Sequence, residues 1–159
     1  MSITIVRKEY LLTTTELDLS SNKLIHLPDS IAQLTNLTQL RLSDNQLTEL
    51  PDSILQLTNL HNLYITNNQL TQLPNSIGQL TNLTILNIQY NELTYLPDSI
   101  GQLTNLTKLD VSYNKLTRLP IQLINLTQCN IYYSDNPIEY IPPPLRRFKP
   151  TNKCYNWCI

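Results

Sequence analysis

The apolar residues of this chain recur at fixed spacings that one template describes. The template reads L-x-x-L-x-L-x-x-N-x-L-x-x-L-P-x-x-I-x-x-L, and its second copy consists of Leu37, Leu40, Leu42, Asn45, Leu47, Leu50, Pro51, Ile54 and Leu57. The next three copies follow at steps of 23 residues and begin at Leu60, Leu83 and Leu106. A first copy begins imperfectly at Thr14, and a sixth begins near Gln128, one residue early. Self-similarity with this period predicts an array of structural repeats.

Within each copy the spacing of apolar residues changes, which predicts two kinds of local structure. Residues 40–42, Leu-Arg-Leu, alternate with the period of two that a β-strand requires. From Pro51 onward the apolar spacing becomes three, at Ile54 and Leu57, which favours a short helical turn. Pro51 fits the first position of that turn, where the following Asp or Ser side chain can accept from free backbone amides. Each repeat is therefore predicted to contain a strand, a helical turn and a return loop.

One asparagine per repeat occupies the position where the chain leaves the predicted strand. This asparagine column consists of Asn22, Asn45, Asn68, Asn91, Asn114 and Asn136. A side chain in this register points into the coil, and a buried amide there must be paired. We therefore predict hydrogen bonds to the backbone of the adjacent coil rather than a polar ladder that binds a ligand.

These positions carry a resemblance to a known family. The chain resembles a leucine-rich repeat protein, and the L-P-x-x-I-x-x-L half of the template is similar to the intracellular 23-residue class, over residues 14–148. The resemblance implies an α/β solenoid of five to six repeats, with a concave parallel sheet and short helical or 3₁₀ turns on the convex side. We expect an N-terminal cap over residues 1–13, repeats over 14–149 and a C-terminal cap over 150–159.

The three cysteines leave two interpretations open. Cys129 begins the sixth repeat, and Cys154 and Cys158 lie in the tail beside Trp157. The favoured interpretation is three reduced thiols in a reducing compartment. The alternative is a disulfide between Cys129 and one tail cysteine that would hold the C-terminal cap.

Composition and charge exclude several classes of function. Charged residues make up 14% of the chain, against about 25% in an average soluble domain, and the net charge is −1. We therefore expect neither nucleic-acid binding through overall charge nor a membrane span, for which no apolar run is long enough. The start of the sequence does not fit a secretory signal, so we predict an intracellular, cytoplasmic protein. We also expect it to be a monomer. Repeat duplication accounts for the glycosylation-type motifs at Asn36, Asn82, Asn105 and Asn125.

The sequence offers few residues for catalysis. The two histidines, His26 and His61, occupy different repeat positions, and the cysteines lack zinc-ligand spacing. With 2 glycines, no phosphate-binding loop is available. We therefore predict a protein that is not an enzyme and has no cofactor or metal.

The outward positions of the predicted strands are the most informative part of the sequence. They are the third, fifth, seventh and eighth positions of each repeat, and tyrosines gather there in the C-terminal half. Tyrosine is enriched at binding hot spots because it offers apolar area and a hydroxyl group at low entropic cost. The predicted partner-binding residues are Arg41, Tyr64, Ile85, Asn87, Tyr90, Lys108, Asp110, Tyr113 and Tyr132.

We therefore predict a non-catalytic interaction module that binds a protein partner through its concave face. Two alternatives are a regulatory scaffold subunit of a signalling enzyme and a secreted or particle-associated recognition protein. A third possibility is an inner face that is solvated and binds nothing.

Overall fold

A six-stranded parallel sheet runs the length of the molecule. The computed structural model describes the backbone of residues 2–5 and 8–148, with the side chains of Ile5 and residues 9–148. The sheet contains β3 (Glu16–Asp18), β4 (Gln39–Arg41), β5 (Asn62–Tyr64), β6 (Ile85–Asn87), β7 (Lys108–Asp110) and β8 (Asn130–Tyr132), in chain order. Before it, β1 (Ser2–Ile5) and β2 (Lys8–Leu11) pair antiparallel. The α/β arrangement predicted from the sequence, with one strand of a parallel sheet in each repeat, is confirmed.

The strand register follows the repeat template. Leu40 pairs with Leu63, and Leu63 pairs with Leu86, so equivalent residues of successive repeats are neighbours. The last step is shorter by one residue, because Lys108 pairs with Asn130. The 22-residue step at the sixth repeat therefore keeps the sheet in register.

Each strand of the parallel sheet is followed by a short 3₁₀ turn. The turns are Asp29–Gln33, Asp52–Gln56, Ile77–Gln79, Asp98–Gln102, Ile121–Asn125 and Pro143–Leu145. The position predicted for proline was wrong by one residue, because Pro51 is extended and precedes the turn. The predicted capping by Asp52 or Ser53 was also wrong, since no side chain caps this turn. The Pro51 carbonyl accepts from the Ile54 amide instead (3.1 Å), the i to i+3 bond that defines a 3₁₀ turn.

The template leucines and isoleucines form one continuous core between the sheet and the 3₁₀ turns. Leu40, Leu63, Leu86 and Leu109, on four neighbouring strands, are fully buried. Ile5 of β1 belongs to the same core and is 2% exposed. The predicted tail cap, with Cys154, Trp157 and Cys158, lies outside the described residues. Cys129 is buried, and burial raises the pKa of its thiol to about 12.

The asparagine column connects successive repeats through the backbone, as predicted. Asn68 Oδ1 accepts from the Leu47 amide at 3.0 Å. Its Nδ2 donates to the carbonyls of Leu42 (2.9 Å), Ile65 (3.3 Å) and Thr66 (3.3 Å). The side chains of Asn45, Asn91, Asn114 and Asn136 make equivalent bonds. The prediction was wrong for Asn22, which is exposed and donates to the Ser20 carbonyl of its own repeat, because no strand of the parallel sheet precedes β3.

A second set of asparagines, which the sequence analysis did not identify as structural, also connects the repeats. The exposed side chain of Asn105 donates to the carbonyl of Thr81 at 2.9 Å, and Asn36, Asn59 and Asn82 make the equivalent bond. The threonine of the glycosylation-type motif contributes as well, because Thr107 Oγ1 donates to the Thr84 carbonyl. These motif residues therefore have a structural role in every repeat where the bond forms.

The two glycines allow neighbouring 3₁₀ turns to approach closely. A Cβ atom added at Gly101 would lie 2.5 Å from the backbone carbonyl oxygen of Gln122, well inside van der Waals contact.

We expect Gly101→Ala to lower the free energy of unfolding by about 1–3 kcal/mol, the usual cost of overpacking, as measured by chemical denaturation. Gln79→Ala, at an exposed position of another turn, is the control and should change it by less than about 0.5 kcal/mol. Equal effects of the two substitutions would contradict the close contact.

Candidate binding face

The outward side of the sheet is the candidate site. We call it the sheet face and define it as the third, fifth, seventh and eighth positions of each repeat. The residues at the eighth position share an unusual backbone conformation, with φ between 53° and 58°: Ser21, Asp44, Asn67, Tyr90, Tyr113 and Asp135. This left-handed region is uncommon for residues other than glycine, asparagine and aspartate, and for a bulky side chain it is an outlier.

Two tyrosines occupy this left-handed conformation in adjacent repeats. The rings of Tyr90 and Tyr113 stack with their centroids 4.3 Å apart and their planes within 9° of parallel. Tyr90 is 46% exposed, which is high for a large aromatic side chain. The left-handed backbone costs each tyrosine about 1–2 kcal/mol, and a stacked aromatic pair returns about 0.5–1.5 kcal/mol. The sheet face therefore keeps an aromatic pair, with Tyr90 exposed and Tyr113 half-buried, at a conformational cost.

Arg41 and Tyr64 form a second contact on the sheet face. They are register partners on β4 and β5, and the guanidinium carbon of Arg41 lies 5.1 Å from the centroid of the Tyr64 ring. This distance is within the range of a cation–π interaction. Both side chains are half-buried, so the pair forms part of the surface in a preformed arrangement.

Lys108, Asp110 and Tyr132 form a third group, near the end of the sheet. The Lys108 Nζ atom is 5.6 Å from the Tyr132 ring centroid and 4.0 Å from Asp110 Oδ2. Gln89 Nε2, from the preceding repeat, donates to the same carboxylate oxygen. Burial raises the pKa of the Asp110 carboxyl, while bonds from Ser112, the charge of Lys108 and the Gln89 amide act in the opposite direction. The group thus holds a 6%-exposed carboxyl between two neighbouring side chains.

The remaining predicted residues lie between these groups. Ile85 is half-buried and pairs with Asn62 and Lys108 on the neighbouring strands. Asn87 is buried, and its Oδ1 atom accepts from the Gln89 amide at 3.3 Å. Asn87 therefore lies beneath the surface of the sheet face, while Ile85 contributes apolar area to that surface.

The structure places all nine predicted residues on or just beneath the sheet face, and seven of them form three groups. Tyr64 and Tyr132 each contact a cation, and only Tyr90 and Tyr113 stack on each other. Sequence reasoning missed Gln89, which holds Asp110, and the left-handed backbone of the eighth position. A signal for the latter was present, because Asp44, Asn67 and Asp135 are residue types that tolerate this conformation.

The described residues contain neither a cluster suited to a metal ion nor a helix suited to crossing a membrane. No group of three or more His, Cys, Asp or Glu side chains in this part of the chain could hold a metal ion. Among the same residues, no helix has the length and apolar character needed to cross a membrane.

Family models match three overlapping or adjoining parts of the chain. The model described as "Leucine rich repeat" matches residues 58–116, "Leucine Rich repeats (2 copies)" matches 35–78, and "Leucine Rich Repeat" matches 13–34. The search of curated proteins gave no match. The intracellular class within the family stays a prediction.

Solved structures of leucine-rich repeat proteins are similar to this chain. A leucine-rich repeat protein of Leptospira interrogans is 40% identical, with a TM-score of 0.74, covering 83% of this chain and 34% of its own. The ectodomain of the membrane receptor kinase GASSHO1/SCHENGEN3 from Arabidopsis thaliana was solved in complex with CASPARIAN STRIP INTEGRITY FACTOR 2. It is 31% identical, with a TM-score of 0.71, and the match covers 82% of this chain and 17% of the receptor chain. The ectodomain of the receptor kinase SOBIR1 from Arabidopsis thaliana is 27% identical, with a TM-score of 0.66, and the match covers 79% of this chain and 71% of the SOBIR1 chain. This chain therefore spans less than half the length of the first two proteins.

Proposed function

This chain belongs to the leucine-rich repeat family, whose domains generally act as protein–protein interaction modules, and we propose that it binds a protein partner through the sheet face. The partner contacts the tyrosine stack of Tyr90 and Tyr113 at the centre, with the Arg41–Tyr64 pair on one side and the Lys108–Tyr132 pair on the other. The protein itself supplies no chemistry in this role.

The tyrosine stack in a left-handed backbone is the observation that carries the proposal. Equivalent positions of the same column hold Ser21, Asp44 and Asn67, so the fold does not require an aromatic side chain there. Side chains kept in costly conformations cluster at functional sites. The rings also present apolar area that is ordered before binding, which reduces the entropic cost of association. A structural neighbour solved with a bound factor is consistent with this role for the fold.

The double substitution Tyr90→Asn/Tyr113→Asn tests the proposal. Asparagine tolerates the left-handed conformation, as Asn67 shows with φ of 56°, so the variant should fold while losing both rings. Specific partners are captured from cells that express the protein and identified by mass spectrometry. We expect the amount of each partner recovered to fall at least tenfold, since aromatic hot spots contribute about 2 kcal/mol or more.

A matched control replaces two exposed tyrosines that lie outside the sheet face. Tyr95→Asn/Tyr140→Asn removes the same number of rings, from positions that are 37% and 58% exposed. Partner recovery should equal that of the wild type. If every specific partner survives loss of Tyr90 and Tyr113, or if both double variants lose partners equally, the proposal is wrong.

The location and oligomeric state stay predictions. The structural neighbours include a bacterial protein and plant receptor ectodomains, so they do not favour one compartment. The intracellular, monomeric protein inferred from composition is retained as part of this proposal.

A further inference from the structure

The sheet face is more acidic than the chain as a whole. Its ionisable acidic and basic side chains are five carboxylates and two cations, which gives a formal charge of −3, whereas the whole chain carries −1: Glu16, Asp18, Asp44, Asp110 and Asp135 against Arg41 and Lys108. Negative charge is therefore concentrated on the face that we propose binds a partner.

The two cations of this face are already in contact with its own groups. Arg41 lies over the Tyr64 ring, and Lys108 lies over the Tyr132 ring and beside Asp110. Two of the acidic side chains contact neutral amides instead: Asp44 Oδ1 accepts from Asn67 Nδ2 at 2.7 Å, and Glu16 Oε2 accepts from Gln39 Nε2 at 3.3 Å. A charged donor from a partner would form stronger hydrogen bonds with these carboxylates than the neutral amides do.

The column at the eighth position arranges these groups in a line. From Asp44 it passes Asn67, the stacked rings of Tyr90 and Tyr113, and reaches the exposed Asp135. Four strand spacings of about 4.8 Å place the two carboxylates roughly 19 Å apart, a distance that about six residues of extended chain span. An aromatic pair thus lies between two carboxylates at a spacing that an extended peptide can match.

We propose that the sheet face recognises an extended segment that carries arginine or lysine side chains about six residues apart. The cations contact Asp44 and Asp135, and the residues between them pack on Tyr90 and Tyr113. Carboxylates and tyrosine rings both attract guanidinium and ammonium groups, and the face already uses tyrosine rings in this way for Arg41 and Lys108. This inference rests on the proposed function and specifies the chemistry of the partner.

Selection of displayed random 12-residue peptides on the immobilised full chain tests the inference. We expect the recovered peptides to be enriched in arginine and lysine, with a preferred separation near six residues. Their affinity should fall about fivefold in Asp44→Asn/Asp135→Asn, because each exposed charge pair contributes modestly. Asparagine preserves the shape and the left-handed backbone at both positions. Raising the salt concentration should weaken binding to the wild type more than binding to this variant.

Asp52→Asn/Asp98→Asn is the matched control, because these exposed aspartates begin the 3₁₀ turns on the opposite side of the coil. It should leave affinity unchanged. Peptides that lack a cationic excess, or that bind Asp44→Asn/Asp135→Asn as well as the wild type, overturn this inference. If those peptides still lose binding in Tyr90→Asn/Tyr113→Asn, the proposed function stands without it. If no recovered peptide depends on Tyr90 and Tyr113, both proposals fail.

Discussion

Asn91→Ala should lower the free energy of unfolding by about 3–5 kcal/mol. The Oδ1 atom of Asn91 accepts from the buried Leu70 amide at 3.0 Å, and its Nδ2 donates to the carbonyls of Ile65 (2.9 Å), Ile88 (3.2 Å) and Gln89 (3.2 Å). Each buried backbone group left unpaired costs about 1–3 kcal/mol, and alanine satisfies none of them. Equilibrium denaturation followed by circular dichroism measures the loss.

Asn105→Ala provides a control with the same chemical change. Asn105 is exposed and makes one bond, to the Thr81 carbonyl, so its removal should cost about 0.5–1 kcal/mol. Asn91→Asp separates the two functions of the buried amide, because a carboxylate still accepts from Leu70 but cannot donate to Ile65 when ionised. A loss at Asn91 no larger than that at Asn105 would contradict the structural role of the asparagine column.

Leu86→Ala should lower the free energy of unfolding by about 3 kcal/mol, within the range for a fully buried leucine. Leu86 lies in the middle of the array and pairs in register with Leu63 and Leu109, so the cavity opens between three repeats. The measurement is the midpoint and slope of urea denaturation.

The neighbouring residue Ile85 is the control for this prediction. It lies on the same strand but points outward and is only half-buried, so Ile85→Ala should cost about 1 kcal/mol. Equal losses for Leu86→Ala and Ile85→Ala would contradict the assignment of the core and surface sides of β6.

The sheet register shows why the repeat fold was predictable. Period-two alternation at 40–42 and the Pro-to-Ile spacing that follows are local, and every copy repeats them. The asparagine column was equally predictable, because a buried amide that points into the coil can only be satisfied by adjacent backbone. Consistency between local pattern and repeated packing leaves little choice of fold.

The details of the 3₁₀ turns could not be predicted in the same way. The proline spacing was compatible with either a helical first position or an extended residue before the turn, and Pro51 adopts the latter. The close approach of neighbouring turns was equally hidden, because a Cβ atom added at Gly101 would lie 2.5 Å from the Gln122 carbonyl oxygen of the next turn. A local sequence pattern does not predict contacts between residues of neighbouring repeats, which are 20 or more positions apart in the chain.

The sequence predicted which residues lie on the sheet face, but it did not predict which of them contact each other. The third and fifth positions followed from strand alternation, which correctly placed Arg41, Tyr64 and Lys108 on the surface. The contacts among them depend on side-chain directions across strands, so the Arg41–Tyr64 pair could not be separated in advance from the tyrosine stack.

The sequence by itself determined the repeat, the core and the face of the sheet that meets solvent, because these follow from the period of the side chains along the chain. Only the tertiary structure decided that Tyr90 and Tyr113 stack in a left-handed backbone, at the column positions between Asp44 and Asp135. The physical reason is that backbone angles and ring contacts at the eighth position depend on hydrogen bonds between neighbouring repeats, such as that from the Asn67 amide to the Gln89 carbonyl. Although the net charge of the whole chain is only −1, the stacking of repeats brings acidic and aromatic side chains together on the sheet face.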